Sequence, residues 1–172
     1  GTLRVLAALS DPARMAIDVG ANTGSYTAAL LPLSSRVIAI EPHPRLVRLL
    51  RAFPRGRVEV HRAIASDRGG LTLPLEVELV ANREADALGH VATGAIRRGV
   101  RRYPTPTLAL DDFAGLPVGF VKIDVEGHEL AVLQGARQLL ARQRPVVLVE
   151  AEFRHRAGAP QDVFGYLAEQ GY

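Results

Sequence analysis

The chain contains 172 residues, a length typical of one domain, and its 48% hydrophobic and 23% charged residues indicate a folded globular protein rather than a disordered one. It has no cysteine, which excludes disulfides, thiolate zinc sites and a cysteine nucleophile, and which is compatible with the cytoplasmic location that we expect. The net charge of +3 is small, and Lys122 is the only lysine among 21 basic residues.

Short β-branched runs alternate with helical patterns along the chain, which predicts a parallel sheet with helices on both faces. The first part predicts strands at residues 15–19, 36–40 and 58–61, with helices at residues 25–31 and 45–53 between them. No apolar run approaches the length of a membrane span, so no membrane partner is expected.

The middle of the chain has a weaker pattern. Residues 71–80 alternate enough for one or two strands, with a hairpin turn expected at residues 67–70. Residues 82–106 are polar and rich in arginine, which predicts a long loop. The remaining predicted elements are two strands and two helices, at residues 120–125, 129–142, 146–151 and 161–170.

The segment Asp-Val-Gly-Ala-Asn-Thr-Gly, residues 18–24, follows the first strand and leads into the first helix. Glycine lets the backbone approach a ligand closely, and the start of a helix offers free N–H groups. The glycines follow a G-x-x-x-G spacing rather than the G-x-G-x-x-G of a pyrophosphate-binding turn. The spacing therefore favours a ligand that lacks phosphates and carries a charged amino-acid end.

Glu41 stands at the carboxyl end of the second strand, about 20 positions after Asp18. Nucleotide-binding sheets place an acidic residue near this offset, where a carboxylate accepts hydrogen bonds from both ribose hydroxyls. The same charge would repel a 2′-phosphate. The two motifs together predict a nucleoside ligand with an unmodified ribose.

The later segment Val-Lys-Ile-Asp-Val-Glu-Gly-His-Glu, residues 121–129, completes a resemblance to class I S-adenosylmethionine-dependent methyltransferases, and in particular to the FkbM family. The resemblance spans about residues 16–151 and implies a doubly wound, mostly parallel, Rossmann-like α/β sheet. It also implies methyl transfer from S-adenosylmethionine, most often to an oxygen. Its supporting marks are the Glu41-Pro42 pair and the segments at residues 63–67, 110–112 and 145–150.

The resemblance further implies, position by position, which residues bind the cofactor. The methionine part of S-adenosylmethionine should contact the first turn, with the candidates Asp18, Gly20, Ala21, Asn22 and Gly24. Glu41 should bind the ribose, Ile64 and Ala65 should lie near the adenine, and Asp124 completes the cofactor-binding candidates.

The segment after the later strand supplies the candidate catalytic residues Lys122, Asp124, Glu126 and His128. The first three alternate with apolar residues, so they share one side while the strand stays extended. Methyl transfer to a hydroxyl needs close positioning and usually a base. The candidates for the base are His128, Asp124 and Glu126, and the alternative that neither His128 nor Asp124 is the base stays open. Asp124, Glu126 and His128 could instead hold a divalent cation, although we predict no metal.

Lys122 itself has two open interpretations. An ammonium inside an apolar strand is costly unless it is paired, so Lys122 is either catalytic or an electrostatic tie between strands. Its candidate partners are Asp124, Glu150 and Asp18.

Two further groups of basic side chains are assigned to the surface. The arginine cluster is predicted to be a solvated loop or a recognition site for an acidic acceptor, and comprises Arg97, Arg98, Arg101 and Arg102. Four histidines have no metal-ligand spacing and are expected at the surface or in loops: His43, His61, His90 and His155.

Residues 1–172 are predicted to form a single methyltransferase domain, in which residues 66–117 are an insertion that shapes the acceptor site. The family fold implies two more strands after residue 170, so we expect C-terminal strands to be missing from this sequence.

The predicted function is O-methylation of a small-molecule or glycan hydroxyl. One alternative is a nucleic-acid methyltransferase, motivated by the pI of 9.8 and the arginine cluster but opposed by an aromatic content of only 5%. The other is a module that binds S-adenosylmethionine without catalysis. The oligomeric state is left open.

Overall fold

The computed structural model describes residues 2–80, 83–92, 99–151 and 159–172. The helices of this part of the chain are α1 (Thr2–Leu9), α2 (Ser25–Leu30), α3 (Pro44–Leu50), α4 (Glu129–Gln134), α5 (Arg137–Gln143) and α6 (Ala159–Glu169). The strands are β1 (Met15–Val19), β2 (Val37–Ile40), β3 (Val58–His61), β4 (Ile64–Ala65), β5 (Thr72–Val80), β6 (Arg83–Val91), β7 (Val100–Leu108), β8 (Val118–Ile123) and β9 (Val146–Val149).

The main sheet contains five parallel strands in the order β3-β2-β1-β8-β9. Leu30 and Leu50, from α2 and α3, pack with the α1 helix on one face. Leu133 and Leu140, from α4 and α5, pack with α6 on the other face. Both faces are therefore covered, which confirms the predicted doubly wound α/β fold. The α1 helix was not anticipated from the sequence.

The central strands are apolar on both sides because helices cover both faces of the sheet. Every residue of β1, β2 and β8 is buried. Asp18 of β1 and Lys122 of β8 are the charged residues in these strands, and they are register partners on adjacent strands. Two opposite charges are therefore neighbours on the two adjacent strands β1 and β8.

A second sheet has the strand order β4-β7-β5-β6, with β5 antiparallel to both of its neighbours. Two predictions were wrong here. Residues 82–106, predicted as a loop, include all of β6 and most of β7. The prolines obscured this pattern, since Pro104 pairs in register with Pro74 and neither has an amide hydrogen to satisfy. Residues 67–70 do not form a hairpin turn, because they connect β4 and β5, which do not pair.

The helix predicted at residues 129–142 is divided into α4 and α5 by close packing at Gly135. A Cβ atom at Gly135 would lie 2.0 Å from the carbonyl oxygen of Ser66. The carbonyl of Gly135 in turn accepts a hydrogen bond from the Asp111 amide at 2.8 Å. The sequence pattern of a helix continues through Gly135, but the backbone of Gly135 packs against Ser66 and accepts a hydrogen bond from Asp111.

Lys122 connects the two central strands at the carboxyl end of the sheet. Its Nζ donates to the carbonyl of Gly20 at 2.9 Å. The same ammonium lies 3.4 Å from Asp18 Oδ1 and 3.6 Å from Asp124 Oδ2, and 5.0 Å from the centre of the Tyr26 ring. Two of the candidate partners, Asp18 and Asp124, are therefore both engaged, and Lys122 forms the electrostatic tie between β1 and β8.

The turn after β1 passes very close to the end of β8. Gly20 has a φ of +70°, and a Cβ atom at this position would lie 1.9 Å from the carbonyl oxygen of Asp124. Gly20 N also donates to the carbonyl of Ile40 at 3.0 Å, so the turn contacts β2 as well. Only glycine fits this combination of left-handed backbone and close approach.

We expect Lys122→Met to lower the free energy of unfolding by about 3–5 kcal/mol, because it leaves the buried carboxylate of Asp18 without its counter-charge. Adding Asp18→Asn should recover part of this loss, so that the double variant is more stable than the Lys122→Met single variant. Denaturant unfolding measures all three values. The control is Arg36→Met, which removes an exposed pair with Glu59 and should change stability by about 1 kcal/mol or less. Equal losses at both positions would contradict the prediction.

We expect Gly20→Ala to destabilise the fold by about 3 kcal/mol or more, since the strained φ and the backbone clash act together. Gly56→Ala is the matched control, because Gly56 has a φ of +85° but nothing within 4 Å of its added Cβ. The control should lose only about 1–2 kcal/mol, the contribution of φ alone. Both losses can be read from the same unfolding experiment, and similar values would show that the clash with Asp124 is unimportant.

Candidate cofactor and active site

A cavity opens at the carboxyl ends of β1, β2 and β8, where ligands bind in open α/β sheets. One wall comes from the main sheet, and another from the second sheet, through Leu75, His90 and Val91. The remaining lining residues are Val19, Gly20, Asn22, Ile40, Glu41, Pro42, His43, Leu46, Ala63, Ile64, Ala65, Asp124, Val125, Glu126 and His128.

The glycine-bearing turn forms one end of the cavity. Gly20 and Asn22 line it, and both have a left-handed backbone, with φ of 70° and 51°. Asparagine tolerates this region better than most residues. Gly24 also has a positive φ, but it lies behind the turn, where a Cβ would lie 2.7 Å from the Phe53 ring. Ala21 is buried behind the turn as well.

Glu41 is held at the end of β2 by two backbone amides. Its Oε2 accepts from the Asn22 amide at 2.9 Å, and its Oε1 accepts from the His43 amide at 2.8 Å. Burial raises the pKa of Glu41 above its usual 4.5, although the two amides and the Lys122 charge act in the opposite direction. Each carboxylate oxygen has one hydrogen bond and keeps a further lone pair with which it can accept another.

An apolar surface lies beside Glu41. Ile64 and Ala65 of β4 are buried at the cavity wall, and Leu46 of α3 and Leu75 of β5 complete this side. A flat apolar group fits such a surface, whereas a charged one would be desolvated without compensation.

The cavity also has a polar part, which is formed by Asp124, Glu126 and His128 after β8. The strand does not stay extended through all of them, because Glu126 has a φ of +50°. The predicted alternation on one side therefore holds for Lys122 and Asp124, whose side chains lie 3.6 Å apart, and breaks at Glu126. A left-handed glutamate is uncommon and is characteristic of a functional loop.

His128 precedes α4, and its Nε2 lies 3.0 Å from the hydroxyl of Ser66. Burial lowers the pKa of His128 below its usual 6.5, and this effect outweighs the carboxylates of Glu129 and Asp67, which raise it. The imidazole is therefore neutral at neutral pH and retains one nitrogen lone pair. Glu129 itself is buried and accepts from the Gly127 amide at 2.9 Å, which fixes the turn before the helix.

The sequence candidates fall into two groups. Asp18, Ala21, Gly24 and Lys122 support the site from behind and do not line the cavity. Asp18 is fully buried and accepts from the Thr27 hydroxyl at 2.6 Å. The candidates that the structure brings to the cavity are Gly20, Asn22, Glu41, Ile64, Ala65, Asp124, Glu126 and His128.

Two histidines that were predicted at the surface or in loops line the cavity, His43 in the loop before α3 and His90 on strand β6, where no strand was predicted. His43 is buried, and its Nδ1 accepts from the Arg45 amide at 3.2 Å, so it caps α3. Pro44 at the start of that helix is a signal that could have indicated the cap. His90 is half-buried on β6, and its Nε2 lies 3.4 Å from Glu76. No local pattern indicates this contact, because the two residues are on different strands.

The arginine cluster is also placed differently from the prediction. Arg102 lies on β7, where its Nε donates at 2.6 Å to Glu76, a buried carboxylate. Arg101 is on the same strand, and Arg97 and Arg98 lie outside the described residues, as does His155. Arg102 is therefore part of the second sheet and not of a solvated loop.

Two features are absent from the described ranges. These residues contain no group of three or more His, Asp or Glu side chains that could hold a metal ion. In the same part of the chain, no helix has the length and apolar character needed to cross a membrane.

Comparison with known proteins identifies the family. The family model described as the methyltransferase FkbM domain matches residues 18–172. No curated protein matches the chain. Among solved structures, methyltransferase FkbM from Methylobacillus flagellatus KT is similar, with a TM-score of 0.64 and 22% identity over 92% of this chain and 38% of that protein. The chain thus spans about two fifths of that protein's length.

Two further structures share the fold. A precorrin-6y C5,15-methyltransferase from Geobacter metallireducens GS-15 has a TM-score of 0.56 and 16% identity, covering 99% of this chain and 68% of its own. A Streptococcus mutans protein named as a methyltransferase, solved with SAH, has a TM-score of 0.56 and 11% identity, covering 98% and 79%. Together with the family match, they indicate S-adenosylmethionine as the methyl donor. The chain belongs to the FkbM family of methyltransferases.

Proposed function

We propose that this chain is an S-adenosylmethionine-dependent O-methyltransferase that acts on the hydroxyl of a small molecule or glycan. The observation that carries the proposal is a cavity whose lining combines two kinds of groups. It contains the glycine turn and Glu41, and it also contains a neutral histidine and the carboxylates that follow β8. The first group suits a nucleoside, and the second can accept a proton. The lack of cysteine agrees with a reaction in the cytoplasm.

The residues present fit the cofactor. The free lone pairs on both oxygens of Glu41 suit a ribose diol, and Ile64 and Ala65 offer an apolar surface for a flat base. Gly20 and Asn22 shape the end where the methionine part would bind. The carboxylates of the cavity also favour a cationic ligand. When bound, S-adenosylmethionine supplies a methyl group on a sulfonium, which an acceptor oxygen takes as the sulfur leaves neutral.

His128 is the base that the geometry favours. Burial keeps its imidazole neutral at the pH at which it must accept a proton, which is what a general base requires. Asp124 is the alternative, but its Oδ2 lies 3.6 Å from the Lys122 ammonium, which competes for the same charge. Lys122 itself stands behind the cavity and acts as the tie between strands.

Strand β6 of the second sheet is assigned to the acceptor. His90 and Val91 belong to this strand and line the cavity, whereas Leu75 of β5 and the β4 residues Ile64 and Ala65 belong to the apolar surface assigned to the base of the cofactor. The position of His90 and Val91 agrees with an insertion at residues 66–117 that shapes the acceptor site. Arg102 is engaged with Glu76 in that sheet, which removes one of the arginines that favoured a nucleic-acid acceptor.

We expect Glu41→Ala to weaken binding of S-adenosylhomocysteine by about 100-fold or more, because two charged hydrogen bonds to the ribose are lost. Calorimetry of the parent and the variant measures this ratio. The matched control is Glu59→Ala on β3, where the carboxylate pairs with Arg36 and His61 at the surface and should not affect binding. If Glu41→Ala binds as tightly as the parent, the ribose assignment is wrong.

Turnover provides the test of the reaction. A panel of hydroxyl acceptors is incubated with S-adenosylmethionine that carries a deuterated methyl group, and mass spectrometry locates the label. We expect labelled ethers, and we expect His128→Gln to lower kcat by about 100-fold or more with unchanged S-adenosylhomocysteine affinity. Label on nitrogen or on nucleic acid would overturn the oxygen assignment, and binding without any turnover would favour the inactive module.

The pH dependence follows from the lowered pKa of His128. The base form is present above that pKa, so kcat should fall as the pH drops through the range below 6.5 and stay level at neutral pH. The His128→Gln variant should lose this acid limb. The same acid limb in both proteins would assign the base to another group.

A further inference from the structure

Ser66 lies directly after β4, and its position is fixed by its surroundings. It is buried, and its amide donates to the carbonyl of Leu108 at 2.9 Å. Its own carbonyl lies under Gly135, where a Cβ atom would be only 2.0 Å away. The backbone of Ser66 is therefore held between β7 and the break that separates α4 from α5. A side chain on such a backbone has a well-defined direction.

The hydroxyl of Ser66 connects Asp67 to His128. Ser66 Oγ donates to Asp67 Oδ1 at 3.2 Å and lies 3.0 Å from His128 Nε2. A hydroxyl has one proton to donate, although it can accept through two lone pairs. Only one of the two contacts can therefore use the serine proton, and the partner that cannot donate takes it.

Asp67 is the partner that cannot donate, because it is ionised. Its limited burial acts to raise the pKa, but hydrogen bonds from Arg68 and Ser66 outweigh this and hold the pKa of Asp67 below its usual 3.8. Arg68 Nε donates to Asp67 Oδ2 at 3.2 Å. A carboxylate only accepts hydrogen bonds, so the serine proton points to Asp67. Ser66 Oγ can then only accept a hydrogen bond from His128, so Nε2 must carry the proton and donate it.

The proton on Nε2 determines the other ring nitrogen. A neutral imidazole has one N–H and one lone pair, so Nδ1 is the nitrogen that can accept a proton. The described part of the chain places no hydrogen-bond donor at Nδ1 of His128. His128 lines the cavity, whereas Ser66 does not.

We propose that Ser66 is a positioning residue that fixes the neutral tautomer of His128, so that Nδ1 receives the proton of the acceptor hydroxyl. This proposal rests on the proposed function for the identity of the reaction. With the cofactor bound, the acceptor oxygen would take the methyl group as the methyl–sulfur bond breaks and the sulfur becomes neutral. The O–H bond of the acceptor would break in the same reaction, and its proton would bind to Nδ1. Ser66 contacts neither substrate nor cofactor. It acts through Nε2, and Asp67 acts through Ser66.

The tautomer can be measured without cofactor or acceptor. Long-range ¹H–¹⁵N correlation spectra of the folded protein distinguish a protonated from an unprotonated ring nitrogen. The spectra are recorded at a pH above the pKa of His128, where the imidazole is neutral. In the parent we expect His128 in a single form with the proton on Nε2. In Ser66→Ala the proton on Nδ1 should become detectable. His61, which lies 2.7 Å from Glu59, serves as an internal control and should be the same in both proteins.

A second variant leaves Ser66 in place. Asp67 is exposed, so Asp67→Asn should fold normally, and its amide can donate to Ser66 Oγ and release the serine proton towards Nε2. We expect a mixture of the two tautomers in this variant as well. A parent His128 with its proton on Nδ1 would overturn the proposal. A single Nε2–H form that persists in both variants would overturn it too.

Kinetics then separate positioning from structure. We expect Ser66→Ala to lower kcat by roughly 2- to 10-fold, the effect of one hydrogen bond, with an unchanged affinity for S-adenosylhomocysteine. Ser66→Thr retains the hydroxyl and should restore both the tautomer and kcat, and Ser35→Ala, at an exposed serine, is the control. An unchanged kcat in Ser66→Ala with an altered tautomer would show that Nδ1 is not the base. If the parent binds S-adenosylhomocysteine but methylates no hydroxyl, the proposed function fails while the tautomer measurement still stands.

Discussion

The buried ammonium of Lys122 is the interaction on which the site depends. It compensates Asp18 and Asp124, which the two central strands bring to the same end of the sheet, and it binds the carbonyl of Gly20. Burying a charge is tolerated only when the pairing is complete. Because one group holds both strands and the glycine turn, the stability of the sheet and the shape of the cavity are coupled. A lysine at position 122 is therefore explained by the contacts that it makes within the fold, without a catalytic role.

Burial shifts the pKa values of two titratable groups in the cavity lining, Glu41 and His128, in ways that suit different roles. Desolvation disfavours the charged form of any group. It therefore raises the pKa of Glu41, although two backbone amides and Lys122 act in the opposite direction. It lowers the pKa of His128, although the carboxylates of Glu129 and Asp67 act in the opposite direction. One physical effect thus acts in the same cavity on an acceptor of hydrogen bonds and on a neutral imidazole.

The parts that could be predicted from the sequence are those in which neighbours in the chain are neighbours in space. The β1 strand, the turn with Gly20 and the position of Glu41 each follow from a short local pattern. The contacts of His90 with Glu76, and of Ser66 with His128, join segments far apart in sequence, so no local spacing indicates them. The second sheet was missed for a further reason, since its prolines and arginines resemble those of a loop.

The interruption between α4 and α5 has a consequence for how this family can vary. Gly135 lies outside the cavity, yet it touches the residue that meets His128, and His128 directly precedes the same helix α4. A larger side chain at position 135 would displace the serine and the histidine relative to each other without any contact with ligand. A substitution at position 135 in a relative would therefore alter the contact between the serine and the histidine, while every residue that lines the cavity stays the same.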